Sequence, residues 1–548
     1  MSWNSTRIDG LVAMELSTNT SKTEYGIALP EFCYYLFFSV MLFAKGIGLY
    51  DGQKLYTLAL ILGFTCWIAK IIVTRHSPVE YGIIAALFIL SLAIYYHSNQ
   101  IGIIIIVMTV LGMKDVPVDR VMKLGGVIWI ATFSLSVIAT LIGLRGDIFM
   151  AQSKLGLGLI IRWALGQPHP NVLQISYMMI CAFVLYSFRC RGRKLYALML
   201  GLTIGGLYFF LYSVSFTGIA LTFIYLFLHI YLTEWRGNKS LVIFEKALII
   251  MILPICIVFS LVGPMYFPEP LWSICNKALN TRFNIAREYM SLNPVSLFGS
   301  GYCNELPPDL NNLDCSYVFC LMHYGIIFFI IFFATYEVLV IHLLKEDKRV
   351  ELSIVLALLI AGISEPFFVN PSFKNISLIF LGAYVYKLLV RLQRVRSGQE
   401  SDVDDDLKNK GIFTTESLIR VAQKVRTVVL DNGRKLIISA AALGIIAGII
   451  ATLTISLPNA YYMNRSRVQI ISKGEFFDIN NLPEDFDGEF LEYTDAETPM
   501  IRIDGNAIKL EYVRGVISAF VWTGAVVYVA MTGVFVVRRK GDDEDKTY

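Results

Sequence analysis

Runs of predominantly apolar residues, each about 18 to 22 long, recur along almost the whole chain, and that is the length a helix needs to cross a hydrocarbon core of roughly 30 Å. They are rich in Leu, Ile, Phe and Gly and do not alternate apolar with polar positions. Helices therefore fit them, because a helix satisfies its own backbone in lipid; the strands of a membrane barrel do not. Fourteen such runs are centred near residues 39, 63, 88, 106, 134, 180, 204, 225, 254, 328, 359, 382, 446 and 526. The expected fold class is thus an all-α integral membrane protein of about 14 transmembrane helices. A hydrophobic fraction of 56% against 16% charged, with a mean hydropathy of +0.60, excludes an ordinary soluble protein, whose surface would carry more charge. The net charge of +4 has no basic soluble stretch to hold it, so no nucleic-acid partner is expected.

The connections between runs carry a charge code. Arg75; Lys114, Arg120 and Lys123; Arg189, Arg191, Arg193 and Lys194; Arg236, Lys239 and Lys246; Lys345, Lys348 and Arg349; Arg391, Arg394 and Arg396; and Arg538, Arg539 and Lys540 all fall in every second connection. Placing both termini in the cytoplasm puts every cluster inside, as the positive-inside rule requires. The run near 106 is short, but only a true crossing keeps the later clusters in phase. Residues 1–27 are polar and lack the basic start and cleavage site of a signal peptide, so the first span is expected to act as its own insertion signal.

Three outer segments are long: Arg145 to Pro170, Pro264 to Asp314 (a large extracytoplasmic loop between the ninth and tenth helices), and Leu457 to Arg514. Long loops on a compact scaffold usually carry function, which directs attention to the outer face. The expected organisation is a cytoplasmic tail (1–27), a twelve-helix membrane body (28–395), a polar cytoplasmic linker (396–435) and a two-helix module (436–548) with an extracytoplasmic segment (457–514). Within the linker, Thr414 to Lys435 has the pattern of a surface helix on anionic lipid.

Four outer features carry chemistry. His169 lies between Pro168 and Pro170, with Arg162 before it and Asn171 after. Proline restricts both itself and its predecessor, so this imidazole is held stiffly where it can serve as base or donor; a turn with Asn171 as helix cap is the structural alternative. Arg282 and Arg287 lie in an amphipathic stretch, 271–290, read as one surface helix. A planar guanidinium suits a diphosphate, though pairing with Glu288 or lipid headgroups would also occupy either arginine. Phe298-Gly299-Ser300-Gly301 precedes Asp314-Cys315-Ser316-Tyr317 and His323-Tyr324-Gly325; the glycine turn is readable as a helix end and Asp314 as a cap. Finally, Ser364-Glu365-Pro366 places an ionisable group inside the eleventh span, with Asn370 and Asn375 across a tight turn. A carboxylate there marks a cavity or a cationic partner. The nine cysteines show no metal-ligand spacing. Cys33, Cys66, Cys181, Cys256 and Cys320 read as small core residues, while Cys275, Cys303 and Cys315 share one outer loop, where a disulfide between two of them is left open.

The order His169-Pro170-Asn171, Thr281-Arg282, Phe298-Gly299-Ser300-Gly301, Asp314-Cys315-Ser316-Tyr317 with Tyr324-Gly325, then Ser364-Glu365 with Asn375 resembles bacterial O-antigen and capsular polysaccharide polymerases of the Wzy type, relatives of the O-antigen ligases, over roughly residues 30–390. The resemblance implies a glycosyltransferase of the bacterial cytoplasmic membrane. It would join polyprenyl-diphosphate-linked oligosaccharides without metal or cofactor, alongside a flippase and a chain-length regulator. Arg282, with Arg162, would bind the diphosphate; Arg287, Asn171 and Asn375 would contact donor or glycan. His169, Glu365 and Asp314 would be the catalytic residues, with His169 or Glu365 accepting the proton of the attacking hydroxyl. Two departures stand out. Ser215-Phe216-Thr217 replaces an expected Ser-Arg-Thr, and Cys315 stands where the pattern has Asn. The C-terminal module is similar to chain-length regulators of the Wzz type but lacks their proline-rich lead into the second span. Rival readings are a ligase-like transferase with a non-lipid acceptor, a lipid-linked oligosaccharide flippase, and a non-catalytic scaffold.

Overall fold

The computed structural model describes residues 27–154, 158–237, 240–301, 313–397, 416–455, 461–464, 491–493, 499–503 and 505–544. The chain is mostly helical, and it is a multi-pass membrane protein. Among the described residues, ten helices are long and apolar enough to cross a bilayer: Lys54–Val73, Pro78–Ser98, Val118–Leu141, Pro170–Phe188, Arg193–Ser213, Phe216–Trp235, Ile243–Leu261, Ser316–Lys345, Asp431–Thr454 and Asn506–Val536. Their exposed large side chains, such as Leu55, Ile61, Ile72, Ile243 and Phe244, are apolar, as a lipid-facing surface demands.

The other four apolar runs are also helical: Leu29–Gly46, Gly102–Leu111, Arg349–Ala361 and Ser377–Ser397. We label the membrane helices used below α1 (Leu29–Gly46), α2 (Lys54–Val73), α3 (Pro78–Ser98), α4 (Gly102–Leu111), α5 (Val118–Leu141), α6 (Pro170–Phe188), α7 (Arg193–Ser213), α8 (Phe216–Ile230) and α9 (Ile243–Leu261). Helix α4 has ten residues, so it is about 15 Å long, half the hydrocarbon thickness. It ends among protein rather than lipid, and side chains donate to the carbonyls of its last turn. Trp67 Nε1 donates to Met108 O at 2.8 Å, Tyr34 OH to Thr109 O at 3.2 Å and Tyr386 OH to Leu111 O at 2.7 Å.

Two compact units divide the chain. The larger comprises Cys33–Gln399 with Ala451–Ile517; the smaller comprises Met1–Phe32, Glu400–Ile450 and Ser518–Tyr548. In the smaller unit two helical stretches pack through small residues: a Cβ on Gly444 would lie 2.7 Å from Phe520 O, and one on Gly524 3.2 Å from Ala440 O. Such close backbone approach is how membrane helices associate without a hydrophobic driving force. The basic stretch from Thr414 is not a separate surface helix. From Glu416 it runs without a break into the following span as one helix to Thr454.

In the larger unit a two-stranded antiparallel hairpin, β1 (Phe149–Lys154) with β2 (Gly158–Trp163), interrupts the helices and pairs Met150 with Arg162. A second small sheet orders Tyr461–Asn464, Pro499–Ile503 and Leu491–Tyr493. Between α9 and the tenth span the stretch read as one amphipathic helix is two, α10 (Glu269–Ala278) and α11 (Arg282–Leu292). Asn280 and Thr281 at the junction both have positive φ, a conformation that ends a helix. Next come a short turn, Ser316–Phe319, a π-turn, Cys320–Tyr324, and α12 (Gly325–Lys345), then α13 (Arg349–Ala361) and α14 (Ser377–Ser397).

Gly299-Ser300-Gly301 does not end a helix. It is laced into the π-turn: Ser300 N donates to Met322 O at 2.9 Å and Ile326 N to Ser296 O at 3.0 Å. Gly299 and Gly325 both have φ of +80° at this crossing, where a Cβ on Gly299 would lie 2.0 Å from His323 O. Gly299→Ala is therefore expected to lower the thermal midpoint of the detergent-solubilised protein by more than the roughly 1 kcal/mol of an ordinary glycine exchange. Gly301→Ala, whose Cβ would meet nothing nearer than Ser98 O at 3.8 Å, should leave it unchanged.

Candidate functional site

Helix α13 ends at Ala361, four residues before Glu365. Pro366 offers no N–H and pushes its predecessor into an extended conformation, and Glu365 has φ −137° and ψ 139°. Glu365 is thus not inside an intact helix; it sits in a break. The Asp-Cys-Ser-Tyr segment docks onto the same break. Ser316 N donates to Gly362 O at 2.8 Å, Ser316 Oγ to Glu365 O at 2.5 Å, and Tyr317 OH to Leu359 O at 2.7 Å. The cap of that short turn is the backbone of Cys315, so Asp314 does not cap it. Its carboxylate turns instead to Arg282.

Arg282, 3% exposed, begins α11 straight after the positive-φ break. Its Nη2 lies 3.2 Å from Glu365 Oε1 and 3.2 Å from Asp314 Oδ2, and its Nη1 donates to Leu279 O at 3.0 Å. Burying a guanidinium demands partners of this kind. Even so, Arg282 Nε is buried with no hydrogen-bond partner among the described residues, as is Thr281 Oγ1. An unused donor on a buried cation costs energy unless something else accepts from it.

Arg162 reaches the same region from β2. Its Nε donates to Ser213 O at 2.7 Å and its Nη2 to Asn171 Oδ1 at 2.6 Å. Burial pulls the guanidinium down to about 10, and Glu365 opposes that fall. Lys374 is buried in the turn before α14; burial lowers its ammonium to about 8, again opposed by Glu365. Nearby, Lys45 Nζ stands 3.8 Å over the ring of Tyr56. This end of the larger unit thus gathers several buried cations around two carboxylates.

His169 caps α6: its Nδ1 accepts from Asn171 N at 3.0 Å. The cap is His169, not Asn171. An accepting Nδ1 puts the neutral ring's proton on Nε2, which makes the imidazole a donor in this arrangement. The turn before it hangs on Asp147, whose carboxylate accepts from Gly166 N at 3.0 Å and Ile148 N at 2.8 Å while burial pushes its pKa up.

Two expected site residues are engaged elsewhere. Arg287 stacks its guanidinium 4.0 Å over Trp272 and donates to Pro264 O at 2.8 Å; Asn284, not Arg287, takes Glu288. Asn375 donates to Phe368 O at 2.8 Å and Tyr336 OH at 3.0 Å, which fixes the turn into α14. Cys275 and Cys315 carry free thiols, and Cys303 lies outside the described residues. Among the described residues no group of three His, Cys, Asp or Glu side chains is placed to hold a metal.

Sequence reading missed Lys374, although a lysine in a turn expected on the outer side departs from the inside bias of the other basic clusters and was a usable signal. It also missed Glu511 and Arg514. Trp163 Nε1 donates to Glu511 Oε1 at 3.0 Å, Glu511 pairs with Arg514, and Arg514 donates to Leu211 O at 2.6 Å and Tyr212 O at 3.3 Å. The end of α7, where the Ser215-Phe216-Thr217 segment lacks the expected arginine, therefore receives two guanidinium groups from elsewhere in the chain.

Removing one partner of a buried pair strands the other charge, so Glu365→Gln should destabilise the protein by about 3 kcal/mol. Asp314→Asn should cost less, because that side chain is 29% exposed; thermal melts in detergent rank the two. For Lys374, whose ammonium is lowered to about 8 from 10.5, the unfolded chain binds more protons between those values, so its contribution makes stability rise with pH across that window. The difference in melting temperature between the parent and Lys374→Met should shrink from pH 8 to 10. Compared with family models, curated proteins and solved structures, the chain matches none.

Proposed function

We propose that this protein joins polyprenyl-diphosphate-linked oligosaccharide repeat units into an O-antigen, capsular or exopolysaccharide chain at the outer face of the bacterial cytoplasmic membrane. The reading includes fourteen crossings with both termini in the cytoplasm, and a flippase and a chain-length regulator as working partners. The observation that carries it is the meeting of Arg282, Glu365 and Asp314 from three separate segments, with Arg162 and Lys374 in the electrostatic reach of Glu365.

In this mechanism the acceptor hydroxyl oxygen forms a bond to the donor's anomeric carbon as the bond from that carbon to the diphosphate oxygen breaks. The electron pair leaves with the lipid diphosphate. Arg282, through its unused Nε and its Nη groups, and Arg162 stabilise the charge that grows there. Glu365, buried beside Arg282, orients the guanidinium. Asp314, more exposed and on the same Nη2, takes the hydroxyl proton. His169 presents Nε2–H to a sugar or phosphate oxygen. Arg282, Arg162 and His169 are already held by backbone contacts, which is the preorganisation such catalysis needs.

The test is reconstitution in vesicles with lipid-linked repeat units, read as a ladder of products. The parent protein should elongate them. Arg282→Lys keeps the charge but loses the planar fork, and should lose at least about 100-fold in rate if the fork carries transition-state stabilisation. Movement of the donor across the bilayer without elongation would replace this reading with a transporter.

A further inference from the structure

A second charged site lies at the opposite end of the same unit. A cavity of about 320 Å³ opens where three helices meet: the turn after α6 gives Arg189 and Arg191, the end of α8 gives His229, and the start of α13 gives Lys348 and Arg349. That volume is at the lower end of the range for small-ligand sites. Three positive-φ residues, Arg189, Gly192 and Asp347, set the turns around it.

The charge balance favours an anion. Four cationic side chains line the cavity against two carboxylates, Asp347 and Glu351. Both carboxylates are already engaged: Asp347 holds Arg349 Nε at 2.6 Å, and Glu351 lies 3.6 Å from Arg189 Nη2, which also stands 3.6 Å from Asp119 outside the cavity. Lys348 makes no close ion pair among the described residues, and its charge is shared only at longer range with Glu346. Arg349 is kept rigid, with Nη1 donating to Leu232 O and to Arg236 O. His229, 1% exposed, closes one side, its Nδ1 3.2 Å from Ser353 Oγ. A buried imidazole with a fixed guanidinium beside it suits phosphate oxygens better than an apolar tail.

We propose that this cavity binds a phosphate-bearing anion at the cytoplasmic end of the protein, the end to which the basic clusters assign it. The same chemistry is offered by the headgroup of an anionic lipid in the inner leaflet and by a soluble phosphate ester or diphosphate.

Cys190 also lines the cavity, and its thiol is free. Its alkylation rate, read by peptide mass spectrometry, therefore reports occupancy at this end alone and is independent of the outer cluster. Inorganic pyrophosphate added to the full chain in lipid-free detergent should slow alkylation about tenfold at ten times its Kd. Nanodiscs containing phosphatidylglycerol, compared with phosphatidylcholine alone, test the lipid source by the same readout. Protection in either arm supports the site and names its source. Lys348→Ala should remove the protection while Cys275 alkylation, outside the cavity, stays at the parent rate and reports an intact fold. The proposal is overturned if neither probe protects Cys190, if sodium chloride at matched ionic strength protects equally, or if Lys348→Ala retains the effect. None of these outcomes depends on glycan polymerisation.

Discussion

A guanidinium with 3% of its surface exposed has to be answered by protein, and much of the structure around it is an answer to Arg282. Its partners come from the end of α10, the break after α13 and the segment before the tenth span. A continuous helix would carry Glu365 or Arg282 along a fixed face and would not turn them toward each other. The breaks make the meeting possible, and each break frees backbone groups in a setting where water is scarce. Ser316 and Tyr317 at one break, and the segment Ser296–Ser300 at another, take up those groups. The buried charge and the broken helices are therefore two sides of one solution: neither is stable without the other.

How much of this was legible in the sequence depends on the distance over which each signal acts. Apolar run length is local, and the helices appear where the runs do. Run length does not show how a short helix is held, as with α4, whose ten residues are supported by Trp67, Tyr34 and Tyr386. Pro366 is likewise a local signal and marks the break at Glu365. The pairing of Glu365 with an outer arginine followed from the cost of a charge in a span, which a sequence does show. What it does not show is which arginine. Arg282 and Arg287 lie on the same helix, yet only the first faces inward, because Phe283, Ala286 and Tyr289 set the buried face and leave Arg287 on Trp272.

Other misreadings have the same origin. His169 was legible as a rigid imidazole, but whether its Nδ1 accepts from the backbone depends on dihedral angles that residue types alone do not give. Asn375 looked like a polar group awaiting a ligand, and its amide is consumed by Phe368 and Tyr336. Glu511 and Arg514 carried no signal at all. They belong to a segment whose composition reads as a separate module, and their contacts are with residues about 300 positions earlier in the chain.

Those contacts have an electrostatic consequence. The last carbonyls of a helix carry a partial negative charge of roughly half an electron, and α7 ends beside Arg162. Left bare, that end would repel an anion approaching the hairpin. Arg514 sits on Leu211 O and Tyr212 O, while Arg162 sits on Ser213 O, so two cations share the negative end of this helix. A residue near the far end of the chain thereby adds positive charge beside a cluster built from the middle of it.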